Sequence, residues 1–402
     1  MTEALPELRS VAVGFWVGSG SRDEVPERAG VSHFLEHLLF KGTEDRTARQ
    51  IAEAVESVGG AMNAFTTQEY TAFYVRVPDD RLELALDILS AVIWTPAFRP
   101  DDVEAERQVI LEEIRMREDV PEDLVHELFA AALFPDHPLG REIIGTPETV
   151  GSVPREGIAA HHGDHYRPAN VVVAAAGNLD HDAVTAMVAE RLGPTPGDRP
   201  ARVADDLPPS RALSVLTRPT EQAHLVVGTR ALSRGDDDRY ALAVLNQAFG
   251  GGMSSRLFQE VREERGLAYS VYSYWGGLEE TGVLGVYAGT APGRVDELLA
   301  VLDDQLDRLT DGLTDEELDS AKGHLRGATA LSLETSSSRM HRLGRSELTL
   351  GEVPTLDEVT ARIDAVEPDD VDRVVERVFT GPRTLAVVGP LDEADLARWA
   401  RE

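Results

Sequence analysis

Hydrophobic positions along this chain follow two rhythms, one of about two residues and one of about three and a half, and the sequence of rhythms occurs twice. Residues 9–17, Arg-Ser-Val-Ala-Val-Gly-Phe-Trp-Val, predict a strand, and 18–28 predict a polar turn rich in Gly, Ser and Asp. The greasy stretch 31–40 predicts a helix closed by Lys41-Gly42. A second helix is expected over about 47–58, ending at Gly59-Gly60, and 61–77, dense in Thr, Phe, Tyr and Val, predicts one or two strands. Helical spacing returns over 81–93 and 101–117, separated by Pro96 and Pro100. Residues 122–165 mix helix and loop, 170–176 predict a buried strand, and Gly177-Asn178-Leu179-Asp180 leads into another helix.

Residues 193–209, rich in Pro, Gly and Asp, predict a linker. Beyond it the plan repeats: a strand at 223–228, an amphipathic helix at 238–249, strands within 268–288, long helices, and a last strand at 384–389 that leads through Pro390-Leu391-Asp392 into a helix. Gly14 to Gly177 and Gly228 to Gly389 are both separations of about 160 residues. The pattern predicts an α+β fold of two homologous domains, 1–205 and 206–402, each a mostly antiparallel sheet packed with helices.

Composition narrows the chemistry. The 402 residues contain no cysteine, so any metal must be held by His, Asp or Glu. A formal charge of -32 disfavours nucleic acid as a partner. With no positively charged leader and no apolar run of about 20 residues, the expectation is a soluble, cytoplasmic protein without a membrane segment.

Within the apolar stretch 31–40 stand His33, Glu36 and His37. Residues four apart share a helix face, so both imidazoles can aim at one point, and Glu36 is offset towards a water beside it. This is the H-x-x-E-H order of hydrolases. A hydrolytic zinc site keeps three protein ligands, so a third donor is needed. The helix over 101–117 offers two: Val103, Glu106, Ile110, Glu113 and Arg117 form a stripe at steps of three and four, and periodicity alone does not choose Glu113 over Glu106. Gly250-Gly251-Gly252-Met253-Ser254-Ser255 lacks the Gly-Lys-Ser/Thr ending of a phosphate loop and reads as a close-packed turn.

His33-x-x-Glu36-His37, with Glu113 about 76 residues further on, resembles the signature of the pitrilysin, insulin-degrading-enzyme and mitochondrial-processing-peptidase family of inverzincin zinc metallopeptidases. Lys41-Gly42-Thr43, Asn63-Ala64-Phe65-Thr66, His137-Pro138-Leu139-Gly140 and Tyr166-Arg167-Pro168-Ala169-Asn170 are similar to its short, two-domain bacterial branch, across essentially the whole chain. The resemblance implies His33, His37 and Glu113 as ligands of one zinc ion per chain, Glu36 as general base, and Glu106 as support. It implies that Arg262 and Tyr269 contact the substrate and the developing oxyanion, and that a peptide adds as an extra strand beside Asn63, Ala64 and Phe65. The implied protein is a cytoplasmic endopeptidase of unfolded peptides, each chain half of a clamshell and two chains forming a homodimer. A non-catalytic peptide-binding or assembly subunit is the alternative. One departure is expected: the family has a strand ahead of Arg9, in a segment ending like Thr2-Glu3-Ala4-Leu5-Pro6, and this chain begins too late to hold it.

Overall fold

A computed structural model describes residues 1–193, 196–202, 207, 211–396 and 398–399. The first sheet comprises β1 (Thr2–Ala4), β2 (Ser10–Val17), β3 (Ala61–Thr66), β4 (Thr71–Pro78) and β5 (Val171–Gly177), in the order β1-β5-β2-β4-β3. The second comprises β6 (Leu213–Thr217), β7 (Ala223–Ala231), β8 (Ala268–Gly277), β9 (Gly282–Thr290) and β10 (Thr384–Gly389), in the order β6-β10-β7-β9-β8. Numbered from its own first strand, each sheet has the same order. In both, the first strand pairs parallel with the last and the other pairs are antiparallel.

The helices of the first half are α1 (Val31–Leu39), α2 (Ala48–Glu56), α3 (Leu82–Trp94), α4 (Pro100–Glu118), α5 (Pro121–Leu133), α6 (Pro147–Ser152), α7 (Arg155–His165) and α8 (His181–Glu190). Those of the second are α9 (Arg239–Gly250), α10 (Val295–Asp307), α11 (Asp315–Ser332), α12 (Ser336–Leu350), α13 (Leu356–Asp364), α14 (Pro368–Phe379) and α15 (Glu393–Leu396). The glycine-rich stretch after Phe249 closes α9, with Gly251 as its cap.

Two compact units divide the chain, and each takes a segment from the other half. One unit is Met1–Met116, Arg141–Val203 and Ser332–Val353; the other is Arg117–Gly140, Ala204–Leu331 and Pro354–Glu402. Sequence periodicity divides the chain once, at 205/206, but each sheet has two apolar faces, and in each unit a helix from the opposite half covers one of them. In the first unit, Val11, Val13, Phe15, Phe73 and Val75 meet α1 and α3, while Ala12, Trp16, Ala72, Ala174 and Ala176 meet Met340, Leu343 and Leu348 of α12. In the second, Val125, Phe129 and Leu133 of α5 cover Val226, Tyr287, Ala386 and Val388. The expected linker, 193–209, lies in large part outside the described residues.

Trp16 shows how close the α12 packing is. Its fully buried indole lies over the site of a missing side chain at Gly14 on its own strand and under another at Gly344 of α12, where a Cβ would stand 2.2 Å from the ring. Burying a large apolar side chain contributes on the order of 1.5–3 kcal/mol, so α12 is an integral part of this unit.

One expectation is corrected here. Thr2–Ala4, read as lying beyond the strand, is itself a strand: Thr2 to Ala4 register with Ala175 to Gly177, Leu5 N–H donates to Gly177 O at 2.7 Å, and the Met1 ammonium reaches Val173 O at 2.8 Å. Three residues are too few to leave a periodic signal, yet enough to pair with an exposed strand edge.

Candidate metal centre

Helix α1 buries Val31, Ser32, Phe34, Leu35, Leu38 and Leu39, which leaves His33, Glu36 and His37 half-buried on the opposite face. Its start is fixed from outside. Gly30 adopts φ +92°, and a Cβ there would lie 2.5 Å from Ile144 O, so glycine meets both the conformation and the space. The buried Glu24 carboxylate accepts from Gly30 N–H at 2.8 Å and Ser32 N–H at 2.6 Å, satisfying two free donors of the helix end. On the far side, His161 of α7 stands 3.3 Å from the Ser32 hydroxyl, and burial pushes its imidazole down to about 3.

The two imidazoles lie 4.6 Å apart between ring centres, tilted 58° to each other, and face one carboxylate of α4. Glu113 Oε2 lies 3.8 Å from His33 Nε2 and 3.7 Å from His37 Nε2. Glu106, two turns earlier, faces the back of His37: Nδ1–H donates to Glu106 Oε1 at 2.8 Å, and Lys41 Nζ meets its other oxygen at 2.5 Å. Lys41, read from the sequence as part of a helix cap, is thus the counter-ion of a carboxylate only 4% exposed. The His37 and Lys41 contacts outweigh burial and hold Glu106 below the usual carboxylate range. The open choice along α4 resolves by direction, with Glu106 facing Nδ1 of His37 and Glu113 facing Nε2 of both histidines. Neighbouring acids form ordinary local pairs, Glu104 with Arg107 at 3.1 Å and Glu112 with Arg115 at 2.5 Å.

This donor set suits zinc. Nitrogen and oxygen ligands about 2.0–2.2 Å from a tetrahedral ion lie roughly 3.4 Å from one another, and here one atom from each of His33, His37 and Glu113 falls within 4.8 Å of the others. The Glu106 bond fixes the proton of neutral His37 on Nδ1 and leaves Nε2 as the lone pair. Burial alone would lower His37, but Glu106, then Glu113 and Glu36, leave it above its ordinary value, a negative potential that a cation would satisfy. Among the described residues, no other trio of such side chains converges in this way.

Glu36 lies outside the trio. Burial raises its carboxyl above the usual range, and Glu113 adds to that, while the Thr66 hydroxyl and His37 pull it back. Thr66 donates to Glu36 Oε2 at 2.6 Å from the end of β3. The sequence reading stopped one residue earlier, at Asn63, Ala64 and Phe65. These lie on β3, which among the described residues pairs with β4 alone and so forms the outer edge of the sheet. Arg107 was also missed: buried on α4, it donates to Val150 O and to Val153 O at 3.0 Å and covers the Phe34 ring, tying α4 to α1.

Arg262 and Tyr269 belong to the second unit. The Arg262 guanidinium lies 4.3 Å from the Tyr269 ring centre, on a π-helical segment, Phe258–Glu264. Tyr269 is 77% exposed and falls where the β8–β9 register shifts between Ala268 and Ser270. A bulge of this kind re-aims one side chain out of its strand.

Comparison with known proteins gives consistent similarities. Residues 1–147 match the description insulinase (peptidase family M16), and 152–325 match peptidase M16 inactive domain. An uncharacterized zinc protease of Streptomyces coelicolor is 46% identical over 99% of this chain and 89% of its own. One from Bacillus subtilis is 42% identical over 96% of this chain and 94% of its own. Among solved structures, a peptidase M16 inactive domain from Pseudomonas fluorescens superposes with a TM-score of 0.91 at 22% identity, covering 97% of this chain and 95% of that one. A Helicobacter pylori protease does so at 0.87 and 22%, covering 96% of each.

Proposed function

The chain belongs to the insulinase family of peptidases, peptidase family M16, and on that premise we propose that it is a zinc-dependent endopeptidase acting on unfolded peptides. The observation that carries this is the convergence of His33, His37 and Glu113, with Glu36 beside them. Zinc held by these three would act as a Lewis acid on a water and on the scissile carbonyl. Glu36 takes a proton from the water whose oxygen bonds to the carbonyl carbon. It gives that proton to the amide nitrogen as the C–N bond breaks, so one water is divided between the new acid and the new amine. Burial raises its proton affinity, which suits a group that must both take and return a proton.

The free edge of β3 offers backbone donors and acceptors to an extended peptide, which supports a preference for chains that can be drawn out as strands. The exposed Tyr269 with its stacked Arg262 suits the stabilisation of an oxyanion. By family likeness the protein acts as a homodimer in the cytoplasm, and light scattering tests the first point. No helix among the described residues is long and apolar enough to cross a membrane.

The central test is a fluorogenic-peptide assay with metal analysis. The zinc-loaded protein should cleave, a chelator should stop it, and Glu36→Gln should retain zinc while losing turnover by at least about 100-fold. Peptide binding without cleavage by the wild type would identify a binding subunit, and full activity in Glu36→Gln would refute the assignment of the base.

A further inference from the structure

The Glu36–Thr66 hydrogen bond joins the base to the strand that offers its edge to the peptide. In β3, Ala64 belongs to the face packed on α1, Thr66 shares that face, and Phe65 lies on the other with Trp16 and Tyr70. Strand alternation therefore brings the Thr66 hydroxyl to the metal helix. At 2.6 Å its contact with Glu36 Oε2 has the length of a hydroxyl bound to a carboxylate.

The donor is held rigidly. Thr67 closes the hairpin, donating from its N–H and its hydroxyl to Tyr70 O, both at 2.9 Å, and accepting from Tyr70 N–H at 3.0 Å. The hairpin tip is fastened to 19–24: Ser21 N–H donates to Thr67 O at 3.1 Å, Arg22 N–H to Gln68 O at 2.9 Å, and Thr71 Oγ1 to Ser19 O at 2.9 Å. Arg22 and Glu69 add an ion pair of 2.7 Å whose side chains are 6% and 2% exposed. The same loop ends in Glu24, which grips the start of α1. Base and donor are thus fastened to one short loop.

We propose that Thr66 is a positioning residue for Glu36, its hydroxyl holding Oε2 so that Oε1 is the oxygen that exchanges the proton. The inference rests on the peptidase reading above. An untethered carboxylate on α1 would still lie near the site but would spend most of its time in orientations that cannot reach the water, and displacement of about 1 Å costs on the order of 100-fold in rate.

The experiment compares zinc-loaded wild type, Thr66→Val, Thr66→Ala and Thr66→Ser on one fluorogenic peptide, with zinc affinity measured separately by chelator competition and folding by thermal unfolding. Valine and alanine should each lower kcat by about 10–100-fold, leave KM within about 2-fold, and leave zinc affinity and Tm near wild type, whereas serine should restore most of kcat. Wild-type kcat in the valine or alanine variant overturns the inference. So does a serine variant as slow as valine, or a loss confined to zinc binding or folding. A wild type that cleaves no peptide overturns the peptidase reading and this inference together; an active wild type with an equally active valine variant overturns this inference alone.

Discussion

Replacing Gly344 by alanine sets two opposing effects against each other at one atom. Gly344 is a buried interior position of α12, where alanine is favoured over glycine by about 1 kcal/mol. Its Cβ would stand 2.2, 2.3 and 2.5 Å from three ring carbons of Trp16, where ordinary contact begins at 3.4 Å, so ring or helix must yield by at least about 1.2 Å. The ring has little room to withdraw, because it is fully buried and its far edge already fills the space that a side chain at Gly14 would occupy. Overpacking of this kind costs about 1–3 kcal/mol, and an unyielding ring puts the cost at the upper end, for a net loss of about 2 kcal/mol. In a unit of this size that corresponds to a fall in Tm of roughly 4–8 °C. Thermal unfolding followed by tryptophan fluorescence measures it. Gly163→Ala, within α7 of the same unit, is the control: nothing lies within 4 Å of its Cβ position, and it should be neutral or raise Tm by a few degrees. A Gly344→Ala variant as stable as wild type, or a Gly163→Ala variant that falls equally, would refute the reasoning.

Glu106→Gln removes the charge that the His37 imidazole and Lys41 share, and should weaken zinc binding by about 10–100-fold in chelator competition; unchanged affinity would show that Glu106 does not support the ligand. Burial holds His161 neutral down to about pH 3, whereas the unfolded chain takes up that proton near 6.5, so stability is full above 6.5 and is lost as pH falls towards 3. At pH 5 the loss is about 2 kcal/mol, and His161→Gln should make Tm fall less steeply between pH 7 and 5 than in wild type; parallel curves would contradict this.

Long periodic elements and the H-x-x-E-H order were legible in the sequence because each leaves a signal within one helix or strand. The stripe on α4 was visible too, but Glu106 and Glu113 share it, and only the side of His37 that each faces separates them. β1 and β6 were not visible: one is three residues long, and the other, Leu213–Thr217, is half-buried without strong alternation. The roles of Lys41, Arg107 and Thr66 escaped notice because their partners lie 30 to 65 positions away in sequence, where no local rhythm reaches. The bulge at Tyr269 depends on a register shift against β9, a property of two strands together. Exchange of α5 and α12 is a still larger-scale property, since both helices carry apolar faces that sequence alone assigns to no particular sheet.

That exchange has a consequence for synthesis on the ribosome. Residues through Glu113 hold every side chain of the metal trio, yet the face of the first sheet around Trp16 is covered by a helix that begins at Ser336. At about 5–20 residues per second, more than 200 further residues must be translated, over at least roughly ten seconds, before that cover arrives. Through that interval the nascent chain presents a large apolar surface to whatever waits at the exit tunnel, and the ligands can be complete long before the wall behind them is closed.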